Sequence, residues 1–475
     1  MKVNLASGNI QLQSLKFLSE LIMTTSLAFY GPLIHSLGPD KVEIVDQALV
    51  VVQDGKISTL RKDVPRDQVE SVFSSLNLNS DVKLRYLSRG EFLIPGFVDT
   101  HNHAPQWAMR GLGRGLHILE WLDQVTFPNE AKFKDPDYAR RIYSDCVDGF
   151  IQQGITTVSY YGSLHGEATK ILAEICLAKG QRAFVGKCNM DRNAPDYYRD
   201  MDTEESLRVT EDCIAHIRSI DPKADLVTPI LTPRFAICCN NDLLTGLGEI
   251  ASRNPDLPIQ THFNEAEQEI NSTLGLFPEF TNEADLYEHF GLLSRKSILA
   301  HCTHMTDYEM TKLRELDCGV AHCPIANTTV GGGFMAAPIR EFLRRGIKVG
   351  LGTDSGGGFS SSILDAMRQA FIVSNAKELM TKGKDPSLSL EECFYMATLG
   401  GARVCCLDEQ VGNFEVGKQF DALVVSTVKQ KRSLVNTMTE DGDSLRMTFE
   451  KFLMSGDDRN ITEVYARGRL IGSQS

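Results

Sequence analysis

Two histidines one residue apart, His101 and His103, close the run IPGFVDTHNH (94–103). Side chains two apart on a strand share a face, so both imidazoles can grip one metal ion. A chain with eleven histidines can hold such a pair by chance. The setting gives this pair its weight: an apolar strand precedes it, Pro95-Gly96 leads in and Asp99 lies just upstream. Later apolar runs end in the same kind of residue. LPIQTHF (257–263) ends at His262, with Glu265 three residues on; SILAHC (297–302) ends at His301, followed by His304; GVAHC (319–323) carries His322; IKVGLGT (347–353) leads to Asp354. Six of the eleven histidines thus fall on or beside strand ends. His101, His103, His262 and Asp354 make one set of neutral imidazoles and a carboxylate, suited to zinc or iron(II). His304 and His322 are assigned to packing or support.

A zinc ion in such a set brings the pKa of water down to about 7. Glu265 is the carboxylate placed to carry a proton to a leaving group, and a closed pocket raises its pKa so that it serves as base and then acid. His301 would hold the attacking hydroxide or polarise the substrate, and Asp354 could also accept a proton. Two-metal sites of this kind need a bridging ligand, commonly a modified lysine on the fourth strand; that position carries Arg234. Lys187, on the third, reads as a structural or substrate-side lysine, and a single metal is expected. Arg234 presents a planar fork of donors, and Gln106 both donates and accepts. Together they suit a flat heterocycle with mixed edges, on which Phe235 or Trp107 could stack.

The elements that must position these groups follow a repeating pattern. From 94 to 405, eight short apolar runs (94–101, 155–161, 182–188, 226–232, 257–263, 297–302, 319–323, 347–353) alternate with amphipathic stretches such as 138–153, 168–179, 206–219, 242–253 and 308–316. Near-continuous apolar strands separated by helices indicate a parallel sheet covered on both faces. Eight units over this length predict an α/β fold, a (β/α)8 TIM-type barrel with its site at the C-terminal strand ends. An open doubly wound sheet would normally carry a Gly-rich phosphate turn after its first strand; here that strand ends in histidines. Residues 24–93 and 406–475 read as β structure, with an Asp-Gly hairpin in LVVVQDGKIST (49–59) and strand-turn-strand units at 411–426 and 461–472. They are expected to pair as one small β-sandwich domain built from both ends of the chain. Residues 1–23 read as a flexible leader, with Met23 an alternative start, and 428–447 as a polar surface loop. Gly331–Gly333 and Gly356–Gly358 lack the Lys-Ser/Thr ending of a phosphate loop and read as lid or turn segments.

A net charge of −13 argues against nucleic acid or an anionic membrane as partner. Twelve scattered cysteines without a CxxC fit reduced thiols in a cytoplasmic protein. His165-Gly166-Glu167 matches half of the small nucleobase deaminase signature; the PCxxC half is missing, so that reading is set aside.

PGFVDTHNH (95–103), THFNE (261–265), AHC (300–302), GLGTD (350–354) and GNFEVGKQFDA (412–422) resemble the amidohydrolase superfamily. LEWLDQVTFPNEAKF (119–133), GQRAFVGKCNMD (180–191), ILTPRFAICC (230–239), AHCPIAN (321–327) and GDDRNITEVY (456–465) are similar to its guanine deaminase branch. The resemblance implies zinc-dependent hydrolysis of guanine to xanthine and ammonia in purine catabolism, by a homodimer with one zinc per subunit. It makes His101, His103, His262 and Asp354 the metal ligands, and Glu265, His301 and Asp354 the catalytic groups. His103, Ala104, Pro105, Gln106, Arg234, Phe235, His262, Glu265 and Asp354 become the substrate positions. Asn264 and Ala266 around Glu265, Pro105 before Gln106, and Ala326 depart from the family pattern and bear on substrate preference. Two other readings are deamination or dechlorination of a different heterocycle, such as a pterin, triazine or oxidised guanine, and a catalytically silent scaffold.

Overall fold

The computed structural model describes residues 26–78, 82–330, 334–428 and 439–474. The leader with Met23, the Gly331–Gly333 segment and 429–438 of the polar stretch lie outside the described residues. The end of that polar stretch is helical: Leu445–Ser455 forms a helix whose first turn is capped by the Ser444 hydroxyl.

The chain opens with strands β1 (Leu27–Gly38), β2 (Lys41–Gln53), β3 (Lys56–Arg61), β4 (Lys83–Tyr86) and β5 (Glu91–Pro95). Asp54 and Gly55 both take positive φ, 53° and 76°, the turn geometry that matches the twist of a two-residue hairpin. The middle of the chain supplies β6 (Phe97–His103), β7 (Ile155–Tyr161), β8 (Arg182–Gly186), β9 (Cys188–Asn189), β10 (Val227–Pro229), β11 (Thr232–Pro233), β12 (Ile259–Phe263), β13 (Ser297–His301), β14 (Gly319–His322) and β15 (Lys348–Leu351). The end adds β16 (Ala422–Ser426), β17 (Ile461–Ala466) and β18 (Arg469–Ser473).

Strands from both ends make one eight-stranded sheet, in the order β18-β17-β16-β5-β1-β2-β3 with β4 on β1. Two expectations change here. Residues 91–95 belong to this sheet, paired antiparallel with β16, so the first parallel strand begins at Phe97 rather than 94. Of 411–426 only Ala422–Ser426 is a strand, because the Gly- and Asn-containing stretch before it turns instead.

The middle strands are parallel and form two four-stranded ladders, β10-β8-β7-β6 and β12-β13-β14-β15, with a short β9-β11 pair. Proline and glycine split two of the expected runs, giving β8 and β9, and β10 and β11. All seven residues of β7 are buried, as a strand covered on both faces requires. The ladders meet at two joins. A bridge pairs Leu231 with Ile259, and the Gln260 amide donates to the Leu231 carbonyl at 2.8 Å. On the other side the Thr100 hydroxyl donates to the Leu351 carbonyl at 2.9 Å, and the Asp354 amide donates to the His101 carbonyl at 3.0 Å.

Helices cover these strands for readable reasons. Pro136–Gln152 starts with the Asp135 carboxylate accepting from the Asp137 amide and Pro136 in the first turn. It buries Ala139, Ile142, Tyr143, Cys146, Val147, Phe150 and Ile151, one stripe at helical spacing. Each large side chain in that stripe contributes about 1.5–3 kcal/mol by leaving water. Thr203–Ile220, Asn241–Arg253 and Asp307–Glu315 are likewise capped by a side chain, of Asp202, Asn240 and Thr306, and Gly166–Lys179 buries Ile171, Leu172 and Ile175 without one. Among the described residues no helix is long and apolar enough to cross a membrane. All twelve cysteines are free.

Candidate active site

The ends of the parallel strands bring the histidines together. His101 and His103 are on β6, His262 on β12, His301 closes β13 and Asp354 lies three residues beyond β15. His103 and His262 face each other with their Nε2 atoms 3.2 Å apart. One Asp354 oxygen, Oδ1, lies 3.3 Å from His101 Nε2 and 3.5 Å from His103 Nε2. The His262 Nδ1 donates to the Arg234 carbonyl at 2.6 Å, which leaves its Nε2 as a lone pair aimed at the cluster.

Electrostatics keep this cluster ready for a cation. Burial holds His101 below the usual histidine range, and His103 and His262 well below it, so the rings are neutral. Burial alone would raise Asp354, but its contacts with His101, His103 and His301 hold it far below the carboxylate range. His101 Nε2 has no hydrogen-bond partner although it is buried. The three imidazoles place ligand atoms within 4.8 Å of one another. Unpartnered lone pairs and one anionic oxygen converging on a point fit a divalent cation bound by nitrogen and oxygen.

The surroundings fix these groups. Asp99, fully buried, accepts from the Thr353 hydroxyl (2.6 Å) and amide (2.9 Å) and from the Asn102 amide (2.9 Å), tying β6 to the loop that carries Asp354. Burial pushes the Asp99 carboxyl up to about 6. Left-handed backbone recurs at the strand ends, at Asn264, His301, Cys302 and Asp354, with φ of 45°, 76°, 48° and 44°. Such residues cost about 1–3 kcal/mol each and persist only where the surroundings over-determine them.

Glu265 stands across the cluster. Its Oε2 is 3.6 Å from His301 Nε2, and the other His301 nitrogen, Nδ1, meets Asn327 Oδ1 at 2.8 Å. Burial pushes the Glu265 carboxyl up to about 7. Behind it the Asn264 amide donates to Glu283 (2.8 Å) and the Glu265 amide to Glu269 (3.2 Å). Thr303 donates to the Glu265 carbonyl at 2.5 Å.

A cavity opens onto these groups. Its polar wall is His103, Gln106, Arg234, His262, Glu265 and Asp354, and Ile118, Trp121, Leu122, Phe235 and Val330 supply apolar surface. Gly356 passes so close to Gln106 that a Cβ there would fall 2.1 Å from Gln106 Oε1, and its φ of +115° admits only glycine comfortably. Gly356–Gly358 is a turn, closed by the Gly358 amide on the Asp354 carbonyl at 2.6 Å.

Not every residue singled out from the sequence reaches the cavity. Ala104 and Pro105 are buried in the 3-10 turn Ala104–Met109 but are not among the lining residues. Trp107 packs on Phe150 at 5.0 Å with the Arg110 guanidinium over it, and the stacking role expected of it is not available. Lys187 is structural: Asp200 accepts from it at 2.5 Å and 2.6 Å. His304 is exposed and His322 is buried in the core. Sequence reasoning missed Glu130, which accepts from Gln106 and Arg234, and Trp121 on the cavity wall. Both lie in LEWLDQVTFPNEAKF, where a lone acid between Phe127 and Phe133 was the available signal.

Residues 92–471 match the amidohydrolase family, and the chain belongs to it. A probable guanine deaminase from Schizosaccharomyces pombe is 40% identical over 443 residues, covering 93% of this chain and 83% of that protein. A guanine deaminase from Dictyostelium discoideum is 38% identical over 450 residues, covering 93% and 97%. A guanine deaminase from C. acetobutylicum, solved with guanine bound in its active site, superposes with a TM-score of 0.84 at 33% identity, covering 94% of this chain and 100% of that one.

Proposed function

We propose that this protein is a guanine aminohydrolase, converting guanine and water to xanthine and ammonia in purine catabolism. The observation that carries the reading is one cavity lined both by His103, His262 and Asp354 of the three-histidine, one-aspartate cluster and by a proton carrier, Glu265, whose carboxyl is pushed up to about 7. His101, His103, His262 and Asp354 would hold a single zinc ion, since Arg234 stands where a bridging lysine would be needed. When bound, zinc supplies Lewis acidity that makes water acidic enough to react near neutral pH.

The chain's own residues do the rest. Arg234 donates to the substrate carbonyl, the unpartnered Gln106 Oε1 accepts from a ring N–H, and Phe235 packs on the ring face. Water adds to C2. Glu265 takes its proton and returns it to the adjacent ring nitrogen, so that C2 becomes tetrahedral without charge building up on the ring. A second proton passes from the new hydroxyl through Glu265 to the departing amine, with Asp354 available as a relay. His301, 3.6 Å from Glu265, orients the water.

The same reading extends to architecture. The two ladders are taken as halves of one closed (β/α)8 barrel over 97–405, supported by the joins at Leu231–Ile259 and Thr100–Leu351. The described residues of 26–95 and 406–474 are taken as one β-sandwich domain. The contact of Phe29 with Tyr465, 5.6 Å between centroids although two strands lie between β1 and β17, supports folding of that sheet on itself. A cytoplasmic homodimer completes the proposal, with the twelve free thiols supporting the compartment. The test is guanine absorbance followed to xanthine with and without a chelator. Chelator-sensitive conversion is expected; no conversion by zinc-loaded, folded protein would remove guanine as substrate.

A further inference from the structure

Glu130 is wholly buried on the short helix Phe127–Glu130, behind the cavity wall. Four donors fill its carboxylate. Gln106 Nε2 (2.8 Å) and Arg234 Nη2 (3.3 Å) reach Oε1; Arg234 Nη1 (2.8 Å) and the Tyr198 hydroxyl (2.7 Å) reach Oε2. A carboxylate so engaged only accepts, so the Gln106 amide must turn its NH2 toward it. The amide's oxygen is left buried without a partner. The fork of Arg234 is also neutralised before any ligand arrives.

We propose that Glu130 is a positioning residue that sets the charge class of the substrate: through Gln106 and Arg234 it admits a neutral lactam, N–H beside C=O, and rejects the ring-deprotonated anion of the same shape. The proposal rests on the guanine reading above and deepens it. A neutral lactam gives its N–H to Gln106 Oε1 and its carbonyl to the remaining Arg234 donors. Deprotonating the ring places a second negative charge near Glu130, and where the deprotonated nitrogen faces Gln106 it also sets a lone pair against that oxygen. The Gln106 amide does not turn to relieve this, because Glu130 holds its NH2 at 2.8 Å.

The experiment compares guanine turnover and inhibition by urate, a purine anion at neutral pH, in zinc-loaded wild type and Glu130→Gln. The amide is isosteric but uncharged, so it frees Gln106 to flip and leaves Arg234 a net cation. Guanine KM is expected to rise about tenfold and the urate inhibition constant to fall about tenfold, the scale of one charge-assisted hydrogen bond gained or lost. A purely structural role would weaken both ligands together, and that result, or no change in either, overturns the proposal. Should Glu130→Gln fail to fold, Glu130→Asp keeps the charge but shortens the reach: guanine KM should rise while urate stays weak, and tight urate binding there overturns the idea. If the wild type does not turn over guanine, the functional reading fails separately. Equilibrium dialysis of labelled guanine and urate then tests the charge preference alone, and tighter urate binding by the wild type overturns it.

Discussion

Asp354 and Glu265 reach the same cavity from two sides, one after β15 and the other after β12, and are buried almost equally, 6% and 5% exposed. Their chemistry nevertheless diverges. Asp354 faces His101 and His103 and is held ionised. Glu265 is backed by Glu269 and Glu283, two fully buried acids. Among the described residues neither of those acids pairs with a lysine or arginine; Glu283 is raised well above the carboxylate range by burial and by its neighbour. Desolvation disfavours both Asp354 and Glu265 as anions, and the neighbours decide the outcome. One carboxylate rests as an anion suited to a cation, and the other has its carboxyl pushed up to about 7.

The most direct way to break this contrast is Asp354→Asn. It removes the only anionic donor of the cluster, and outer-sphere changes at metal sites already lose about 10–100-fold. Metal content by elemental analysis should collapse, with turnover falling roughly a thousandfold or more; a variant that kept its metal would take Asp354 out of the ligand set. Glu265→Gln should separate the two sides: metal retained, turnover down about 10²–10⁴-fold. Equal loss of metal in this variant would mean that Glu265 is a ligand rather than a proton carrier.

The pH response sharpens the same point. The Glu265 carboxyl moves up from 4.5 to about 7, so its proton-accepting form is lost as pH falls through about 7. Turnover should decline below that pH and the decline should follow one protonation; a rate flat down to about pH 5 would contradict the raised value. For stability the sign is reversed. A folded-state pKa above the unfolded one means that the folded form holds the extra proton, so stability falls as pH rises from about 4.5 to 7. In metal-free protein Glu265→Gln should therefore gain on the order of 3 kcal/mol over wild type near pH 8 and little near pH 4, measured by denaturant unfolding. The smallest effect is expected from Glu283→Gln, which keeps an acceptor for the Asn264 amide and replaces one acid of the pair with a neutral isostere. Turnover should stay within about tenfold of wild type, the scale of one altered hydrogen bond; a loss as deep as that of Glu265→Gln would place Glu283 in proton transfer itself.

That His101, His103, His262, Asp354 and Glu265 would meet was legible because each sits at a fixed offset from an apolar run, and strand periodicity is a local property. The hairpin at Asp54-Gly55 and the helix stripe from Ala139 to Ile151 were legible for the same reason. Element edges were less so. Residues 94–95 read as the start of the first parallel strand, yet with the rest of β5 they pair with β16, more than three hundred residues later, and no local pattern announces that partner. Trp107 and Trp121 look alike in sequence; only packing sends one onto Phe150 and the other to the cavity.

What the sequence by itself determined is the supply of chemistry: which strands end in imidazole or carboxylate, and that Arg234 rather than a lysine follows the fourth apolar run. What only the tertiary structure decided is the state of those groups. Whether a buried acid is an anion, a proton carrier or half of an acid pair depends on charges and donors that arrive from distant elements, within hydrogen-bond reach and in low dielectric. Glu130 is the plainest case, an acid between Phe127 and Phe133 whose meaning comes from Gln106, Tyr198 and Arg234, brought to it from three other segments of the chain.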